Sequence, residues 1–579
     1  MKKDQFLIFL LGLCLGLGGS QRAAAQADCR YVYAQTSFRV QDLEVKLPGL
    51  GGLWWDKENP GYLIDDPERA GRQVAALFAG GLWIGGLDPA GNLRLAASAY
   101  GASAGHLDYW PGPLSIDGQT DRETCTNYDR FWTVTRSDID ALLDDFTDNG
   151  SVDGTIPTAL RDWPALGNPY FEDLNGFDLP SPAFHHQDLA PFYDQDGDGR
   201  YDPARGDYPL IKGADRAIWW IFNDAANFHS ESEGAAIGAE IHAMAYTYDQ
   251  AAAPINRTTF YDYTIIHRGT ETIDSSYVGI WVDPDLGCLN DDYVGCYPEK
   301  NLFYAYNGDA LDDDDACGTA CEETEGFCED IPVVGIKLLK GTTGIDPDGN
   351  DPVDNGLSSL TYFYKTPHPV YSMRGPSEAD EYYNYLTGTW RDGTLLVPGG
   401  TGYNPVSPLP TKYAFPDNPS DPNGWSMCAE ELDPYDLRAV LGSGPFQLRP
   451  GAVQRISFAV YLRDAVVHPC PDLSDFFADG DLIEAFYQGV PTGTRTGHLT
   501  AGSVQLHPHP LRDYSLLSLS EGRLRSVALF SSSGQLLRSY PDVHDRQLRI
   551  ERGDLPGGMY FYRLQNEWGQ WTSGKLLLQ

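Results

Sequence analysis

Short runs of β-branched and aromatic residues, each closed by Gly, Pro, Asn or Asp, recur along most of this chain. Residues 74–84, 217–222, 241–248, 258–266, 277–282 and 302–306 have this form and predict strands. Ile456, Phe458, Val460 and Leu462 alternate with small or polar neighbours, the two-residue period of a half-buried strand. Helical signals are few. Ser137-Asp-Ile-Asp140 reads as the cap of an amphipathic run ending at Phe146, and residues 473–487 form the best longer candidate. No fixed-period repeat is present. The pattern predicts a mainly β chain, with one or two β-sandwich-like domains carrying long loops.

The last eighty residues repeat this grammar on a smaller scale. Segments 527–530, 536–537, 548–550, 559–564 and 576–578 are apolar and separated by Gly, Ser, Asp and Pro turns. Their spacing predicts a small immunoglobulin-like β-sandwich at the C-terminus.

The first residues have a different character. Lys2 and Lys3 precede an apolar stretch, 6–17, and Ala25-Gln26-Ala27 forms a small-x-small cleavage site. This order predicts a signal peptide over 1–27, its apolar stretch too short to span a bilayer. Leu11-Gly12-Leu13-Cys14 is a poor lipoprotein box, because Leu13 stands where a small residue is required. No later segment has membrane-spanning character, so no integral membrane segment is expected.

Composition sharpens the picture. Tyr (34), Trp (13), Gly (62) and Pro (40) are abundant, which favours pleated sheets joined by turns. The net charge of −41 repels phosphate backbones and disfavours nucleic acid as a partner. The charge is unevenly distributed, since residues 500–579 hold nine basic and seven acidic residues while the preceding body is strongly acidic. Just before the change stands Pro491-Thr-Gly-Thr-Arg-Thr-Gly-His498, a turn-rich linker. The expected organisation is a signal peptide (1–27), a β-rich extracellular body (28–490), a linker (491–499) and a C-terminal module (500–579).

Nine cysteines remain after residue 27, and an exported protein uses them as disulfides, with one left over. Cys288 with Cys296, bracketing a short turn-rich segment, and Cys428 with Cys470 are the expected bridges. Cys29 with Cys125, and two among Cys317, Cys321 and Cys328, complete the set.

The sharpest local motif is Asp194-Gln-Asp196-Gly-Asp198-Gly199-Arg200-Tyr-Asp202. Carboxylates fall at loop positions 1, 3, 5 and 9, with Gly at 6 and the Arg200 carbonyl at 7, the spacing by which one tight turn wraps calcium. Position 12 is Arg205 rather than a bidentate Glu, and Pro191, Pro203 and Pro209 exclude flanking helices, so the loop is free-standing rather than an EF-hand. Asp207 is placed to close the shell. Weaker acidic loops are Asp346, Asp348, Asn350 and Asp354, and Asp283, Asp285, Asp291 and Asp292 around Cys288.

Enzyme signatures are absent or incomplete. Gly101-Ala-Ser103-Ala-Gly105 has the letters of a nucleophile elbow, but Pro111 and Pro113 follow where a helix is needed. His185, His186 and Asp188 lack zinc-protease spacing. His229 and Glu231 form a base-and-orienter pair of a kind that chance supplies in an acidic chain. No catalytic residue is assigned. Trp54-Trp55, Trp110, Trp219-Trp220 and Tyr382-Tyr383 are able to stack on sugars, although large aromatics mostly fill sandwich interiors.

The C-terminal module resembles the sorting domain of type IX secretion cargo from Bacteroidota. Val504-Gln-Leu506-His507-Pro508-His509-Pro510 stands where that family has a strand and a Pro-Asn-Pro-like turn, with His509 in place of Asn. The stretch 527–530 followed by Ser533-Gly534 matches its middle strand and turn. Leu555-Pro556-Gly557-Gly558-Met559-Tyr560 matches its Leu-Pro-x-Gly-x-Tyr segment, and Gly574-Lys575-Leu576-Leu577-Leu578 its last strand. The resemblance implies passage through the periplasm and outer membrane by that machinery. It also implies processing by a sortase-like peptidase, then attachment to surface lipopolysaccharide or release. Leu77-Phe-Ala-Gly-Gly-Leu-Trp-Ile-Gly85, Asp108-Tyr-Trp-Pro-Gly-Pro113, Ile218-Trp-Trp-Ile-Phe-Asn-Asp224 and Trp281-Val-Asp-Pro-Asp-Leu-Gly287 resemble an uncharacterised secreted family with no activity to transfer. The expected class is a calcium-stabilised surface or secreted protein for adhesion, structure or glycan binding. The alternative is a secreted hydrolase acting on polysaccharide or protein.

Overall fold

The computed structural model describes residues 29, 34–66, 69–180, 189–249, 251–313, 317–321, 324–345, 352–365, 367–404, 409–464, 466–489, 504–519, 523–530, 536–540, 543, 545–553, 555–566 and 571–578. The expected signal peptide, the linker, His185, His186, Asp188 and the loop positions Asp346, Asp348 and Asn350 lie outside the described residues.

Apart from residues 74–77, the strand readings of the body fall into two antiparallel sheets. The larger runs Asp292–Tyr297, Leu302–Asn307, Val333–Lys340, Val453–Arg463, Thr259–His267, Ala239–Thr247, Arg216–Asn223 and Trp110–Pro111, with Trp132–Thr135 also paired to Arg216–Asn223. The second runs Ser359–Tyr364, Leu437–Leu448, Ile273–Asp283, Ala79–Leu87 and Gly52–Leu53, with Leu93–Ala97 on Ala79–Leu87. Their faces meet where Val278, Ile280 and Leu441 of the second oppose Ile336, Ile456 and Phe458 of the first. Trp54 sets one corner of this interior. Its indole N–H donates to the Tyr261 hydroxyl (2.9 Å), and its ring stands edge-on to Tyr62, Tyr261 and Phe458. A further four-stranded sheet comprises Thr36–Val40, Leu43–Leu47, Tyr62–Asp65 and Gln73–Leu77. One continuous apolar core joins residues 38 to 483. The body is a β-sandwich with long connections.

The strand Val453–Arg463 departs from the half-buried pattern, because Ile456 to Leu462 are all buried. The helix Ser474–Gly489 lies over the outer face of the larger sheet, and Phe476 stacks on Tyr461 with ring centroids 4.5 Å apart. Its close approach requires Gly480, where a Cβ would fall 2.6 Å from the Tyr461 hydroxyl oxygen. Covering a side chain of this size contributes about 1.5–3 kcal/mol, so a second buried face outweighs the alternation. The helix Arg136–Asn149 is also present, but its cap is Thr135 rather than Ser137. Thr135 ends a strand in extended conformation and exchanges hydrogen bonds with Asp138, a reciprocal capping box.

The C-terminal residues form two small sheets. One contains Val504–His507, Tyr514–Leu519 and Gln547–Glu551; the other contains Leu536–Tyr540, Leu524–Phe530, Gly558–Asn566 and Trp571–Leu578. Leu517, Leu529, Ile550, Leu564 and Leu576 build a core between them that is separate from that of the body. Pro508 and Pro510 occupy the turn after the first strand. Leu555 and Pro556 lead into the strand opened by Gly558, and the Tyr560 hydroxyl donates to the Pro556 carbonyl (2.8 Å). Lys575 is exposed on the last strand, beside the buried Leu576.

Among the described residues four disulfides are formed: Cys29–Cys125, Cys288–Cys317, Cys321–Cys328 and Cys428–Cys470. The expected Cys288–Cys296 bridge is therefore incorrect. Cys296 lies on the strand Asp292–Tyr297 with its side chain in the core, its thiol against the Ala414 carbonyl oxygen (3.2 Å). Cys288 stays in the preceding loop, where Asp312 accepts its amide N–H (2.7 Å) and draws it to the segment bearing Cys317. Disulfides of this number belong to an oxidising, extracellular-type environment. No helix among the described residues is long and apolar enough to cross a membrane.

Candidate functional site

Two features of the body combine chemistry with a shaped enclosure: the aspartate loop and an aromatic pocket. The loop is held at its base by the pairing of Phe192–Tyr193 with Tyr208–Pro209, whose tyrosine rings stack at 4.9 Å. Gly197 and Gly199 adopt φ of 77° and 78°, the left-handed conformation that lets the chain turn twice within six residues. Asp194 accepts the amides of Gly197 (2.7 Å) and Gly199 (2.9 Å). The fully buried Asp207 accepts those of Gln195 and Asp202, both at 2.7 Å.

Of the predicted ligands, the fold brings together Asp194, Asp196 and Asp207, which each place a carboxylate oxygen within 4.8 Å of the others. This cluster can hold a cation. Burial pushes the Asp207 carboxyl up to about 6, with Asp194 and Asp196 adding to the shift. The other positions have different tasks. Asp198 accepts the Arg200 amide (2.8 Å), and Asp202 caps the short 3-10 turn Pro203–Arg205 through the Ala204 amide (3.0 Å). Arg205, at the position where an EF-hand carries its glutamate, reaches Asp196 at 2.7 Å, Asp198 at 3.4 Å and Asp202 at 3.6 Å. Its guanidinium offsets part of the charge that a bound ion would neutralise.

The pocket has a volume of about 270 Å³ and opens beside the second sheet. Trp83, Tyr100, Trp281, Phe363 and Tyr382 form its walls. Glu231 is the carboxyl among them. Its Oε1 accepts the Tyr382 hydroxyl (3.3 Å), while Oε2 is buried without a hydrogen-bond partner. Burial raises the Glu231 carboxyl to about 7, and the nearby Asp108 pushes in the same direction. Gly101 makes room for this group, since a Cβ there would overlap Oε2. The letters of the nucleophile elbow therefore mark a 3-10 turn, Tyr100–Ala104, shaped around a carboxyl; the Ser103 hydroxyl simply donates to the Tyr100 carbonyl (2.9 Å).

At the other side of the pocket is Arg438, whose guanidinium lies 5.4 Å from the centre of the Tyr100 ring. It binds Asp283 at 2.9 Å and Asp436 more closely, with Asp285 at 4.0 Å. Lys365 pairs with Asp436 at 2.9 Å. Burial drives the Asp283 and Asp285 carboxyls upward against the pull of Arg438.

The sequence placed Glu231 beside His229, but the two have separate environments. Both His229 ring nitrogens face main-chain carbonyl oxygens, of Leu95 (2.6 Å) and Asp224 (2.7 Å), which makes it a structural cross-brace. Trp54, Trp55, Trp110, Trp219 and Trp220 are core residues. Tyr382 alone among the predicted aromatic clusters reaches the pocket; Tyr383 instead donates to the Ser275 carbonyl (2.6 Å). The pocket was missed because its walls come from segments far apart in the chain. The one local signal was glycine at 101 before an exposed serine.

No family model matches this chain. No curated protein matches it either. Among solved structures, a polysaccharide lyase aligns over 58% of this chain and 34% of its own, at 8% identity and a TM-score of 0.17. The chain thus spans about a third of that enzyme's length. A likeness of this size carries no argument about fold or function.

Proposed function

We propose that this is an exported surface or secreted protein that binds a glycan in the aromatic pocket and is stabilised by calcium at the 194–207 loop. The observation that carries the reading is the pocket itself. Five aromatic side chains surround a cavity large enough for a sugar ring, with Glu231, Lys365 and Arg438 as the polar groups that would orient hydroxyls. Calcium is the cation favoured by an all-oxygen donor set in a flexible loop. The disulfides and the C-terminal motif support an extracellular destination reached by type IX secretion, with its sortase as the processing partner and lipopolysaccharide as the surface anchor.

A hydrolase is the second reading, and one observation favours it. Glu231 keeps its proton up to about pH 7 in an apolar wall, the condition a general acid needs. A glycan array and a hydrolase panel on the disulfide-bonded mature protein, with and without calcium, test both readings. Binding lost in Tyr100→Ala and retained in Glu231→Gln supports recognition alone. Product release that is lost in Glu231→Gln supports catalysis. No binding and no turnover across the panel would discard the pocket as a glycan site.

A further inference from the structure

The four acidic residues around Cys288 separate into two groups in the fold. Asp283 and Asp285 join Asp436 around Arg438, so their charge is answered by a guanidinium. Asp291 instead comes close to Asp312, which the sequence reading did not include, and Asp292 follows it in the chain. All three are buried, at 4%, 2% and 0% exposure. One carboxylate oxygen each of Asp291 and Asp312 lies within 4.8 Å of the other and of the Cys288 sulfur.

Two further buried oxygens lie on the strand pair beside this cluster. Asp292 accepts the Leu286 amide through Oδ2 (2.8 Å), and its Oδ1 is buried without a hydrogen-bond partner. Asn307 stands directly opposite Asp292 in the antiparallel pair, so both side chains leave the same face of the ladder. Its Nδ2 is spent on the Asp309 and Leu311 carbonyl oxygens (3.3 and 3.2 Å) of the loop leading to Asp312. Its Oδ1 is fully buried and also has no hydrogen-bond partner. An amide oxygen left so is costly unless a ligand meets it.

Neither Asp292 nor Asp312 makes an ion pair among the described residues. Arg72, whose charge is felt at Asp312, donates to the Gly326 carbonyl (3.3 Å). We propose that Asp291, Asp292, Asp312 and the Asn307 side-chain oxygen form a buried calcium site, distinct from the 194–207 loop. The donor set selects the metal class. Cys288 is committed to Cys317, no histidine is in the group, and an oxygen-only shell suits a hard divalent cation rather than zinc. The site would tie the end of the strand Asp292–Tyr297 to the disulfide-closed segment that follows Asn307.

Calorimetric titration of CaCl₂ into the chelator-treated mature protein tests the site. An Asp194→Asn/Asp196→Asn variant removes the loop, and it is expected to retain one calcium. Adding Asp292→Asn to that background should weaken the remaining site about tenfold or more, since ligand charge sets calcium affinity. Adding Asn307→Asp, which keeps an oxygen in place and supplies charge, should preserve or tighten it. Loss of all binding in the loop variant with unchanged circular dichroism would overturn the proposal. So would equal affinity with and without Asp292→Asn, or binding abolished in a folded Asn307→Asp variant. Failure of the loop as a calcium site would show differently, as the same stoichiometry in wild type and loop variant.

Discussion

The Tyr382 hydroxyl donates to the Glu231 carboxyl at 3.3 Å, joining residues 151 positions apart in the chain and closing one wall of the aromatic pocket. The contact leaves the second carboxyl oxygen buried against Gly101. An isolated carboxylate there would be costly, so the group holds its proton.

The first prediction is a pH dependence. The folded carboxyl of Glu231 is raised to about 7, above its ordinary value near 4.3 in the unfolded chain. Between these values the folded state binds more protons, so its contribution to stability falls as pH rises through the window and is flat above it. Glu231→Gln abolishes that slope. Denaturant titrations at pH 5 and pH 8 should find the variant gaining on the wild type at the higher pH, and an unchanged difference would remove Glu231 as a buried acid.

Gly101→Ala should destabilise the body by about 1–3 kcal/mol, since its Cβ must displace a buried carboxyl from a packed wall. Gly489→Ala is the control, because that glycine has neither a left-handed backbone nor any atom near its missing Cβ. Pocket disruption predicts that only Gly101→Ala changes Trp fluorescence.

At the aspartate loop, Asp196→Ala should lower the melting temperature in calcium and leave the chelated protein nearly unchanged, because an ion bound only to the folded state stabilises it by mass action. Asp207→Ala should lower it in both conditions, since Asp207 also accepts the Gln195 and Asp202 amides. Equal drops for both variants under both conditions would assign the whole cluster to packing.

Non-reducing peptide mapping should recover Cys288 with Cys317 and find Cys296 as a thiol that alkylates only after denaturation. Rapid labelling of Cys296 in the native protein would contradict its place in the core.

Deletion of residues 555–579 removes the strand Gly558–Asn566 and the strand Trp571–Leu578, and with them Leu564 and Leu576 from the C-terminal core. The exposed edge of Leu524–Phe530 then has no partner on that side. In the native host the truncated protein should accumulate in the periplasm with its leader removed. Its appearance on the cell surface would refute the sorting assignment.

What the sequence determined by itself was set by local physics. Strand segments such as 241–248 and 302–306 were legible because β-branched and aromatic runs bounded by turn residues satisfy the pleat wherever they are placed. The Asp-Gly spacing of 194–202 was legible for the same reason, as one turn carries its own geometry. Tertiary structure decided the rest. Asp198 and Asp202 fall outside the ligand cluster, Asp198 accepting the Arg200 amide and Asp202 the Ala204 amide. Cys288 and Cys296 are eight residues apart, yet one lies in a loop and the other in a core strand, and the sulfur that meets Cys288 is brought by the segment after Asn307. Glu231, Tyr382 and Arg438 share a pocket only because a loop and the helix Ala379–Thr387 pack on the second sheet beside Arg438. Alternation and turn chemistry say which face of a strand is inward, whereas packing between distant strands decides which inward residues meet.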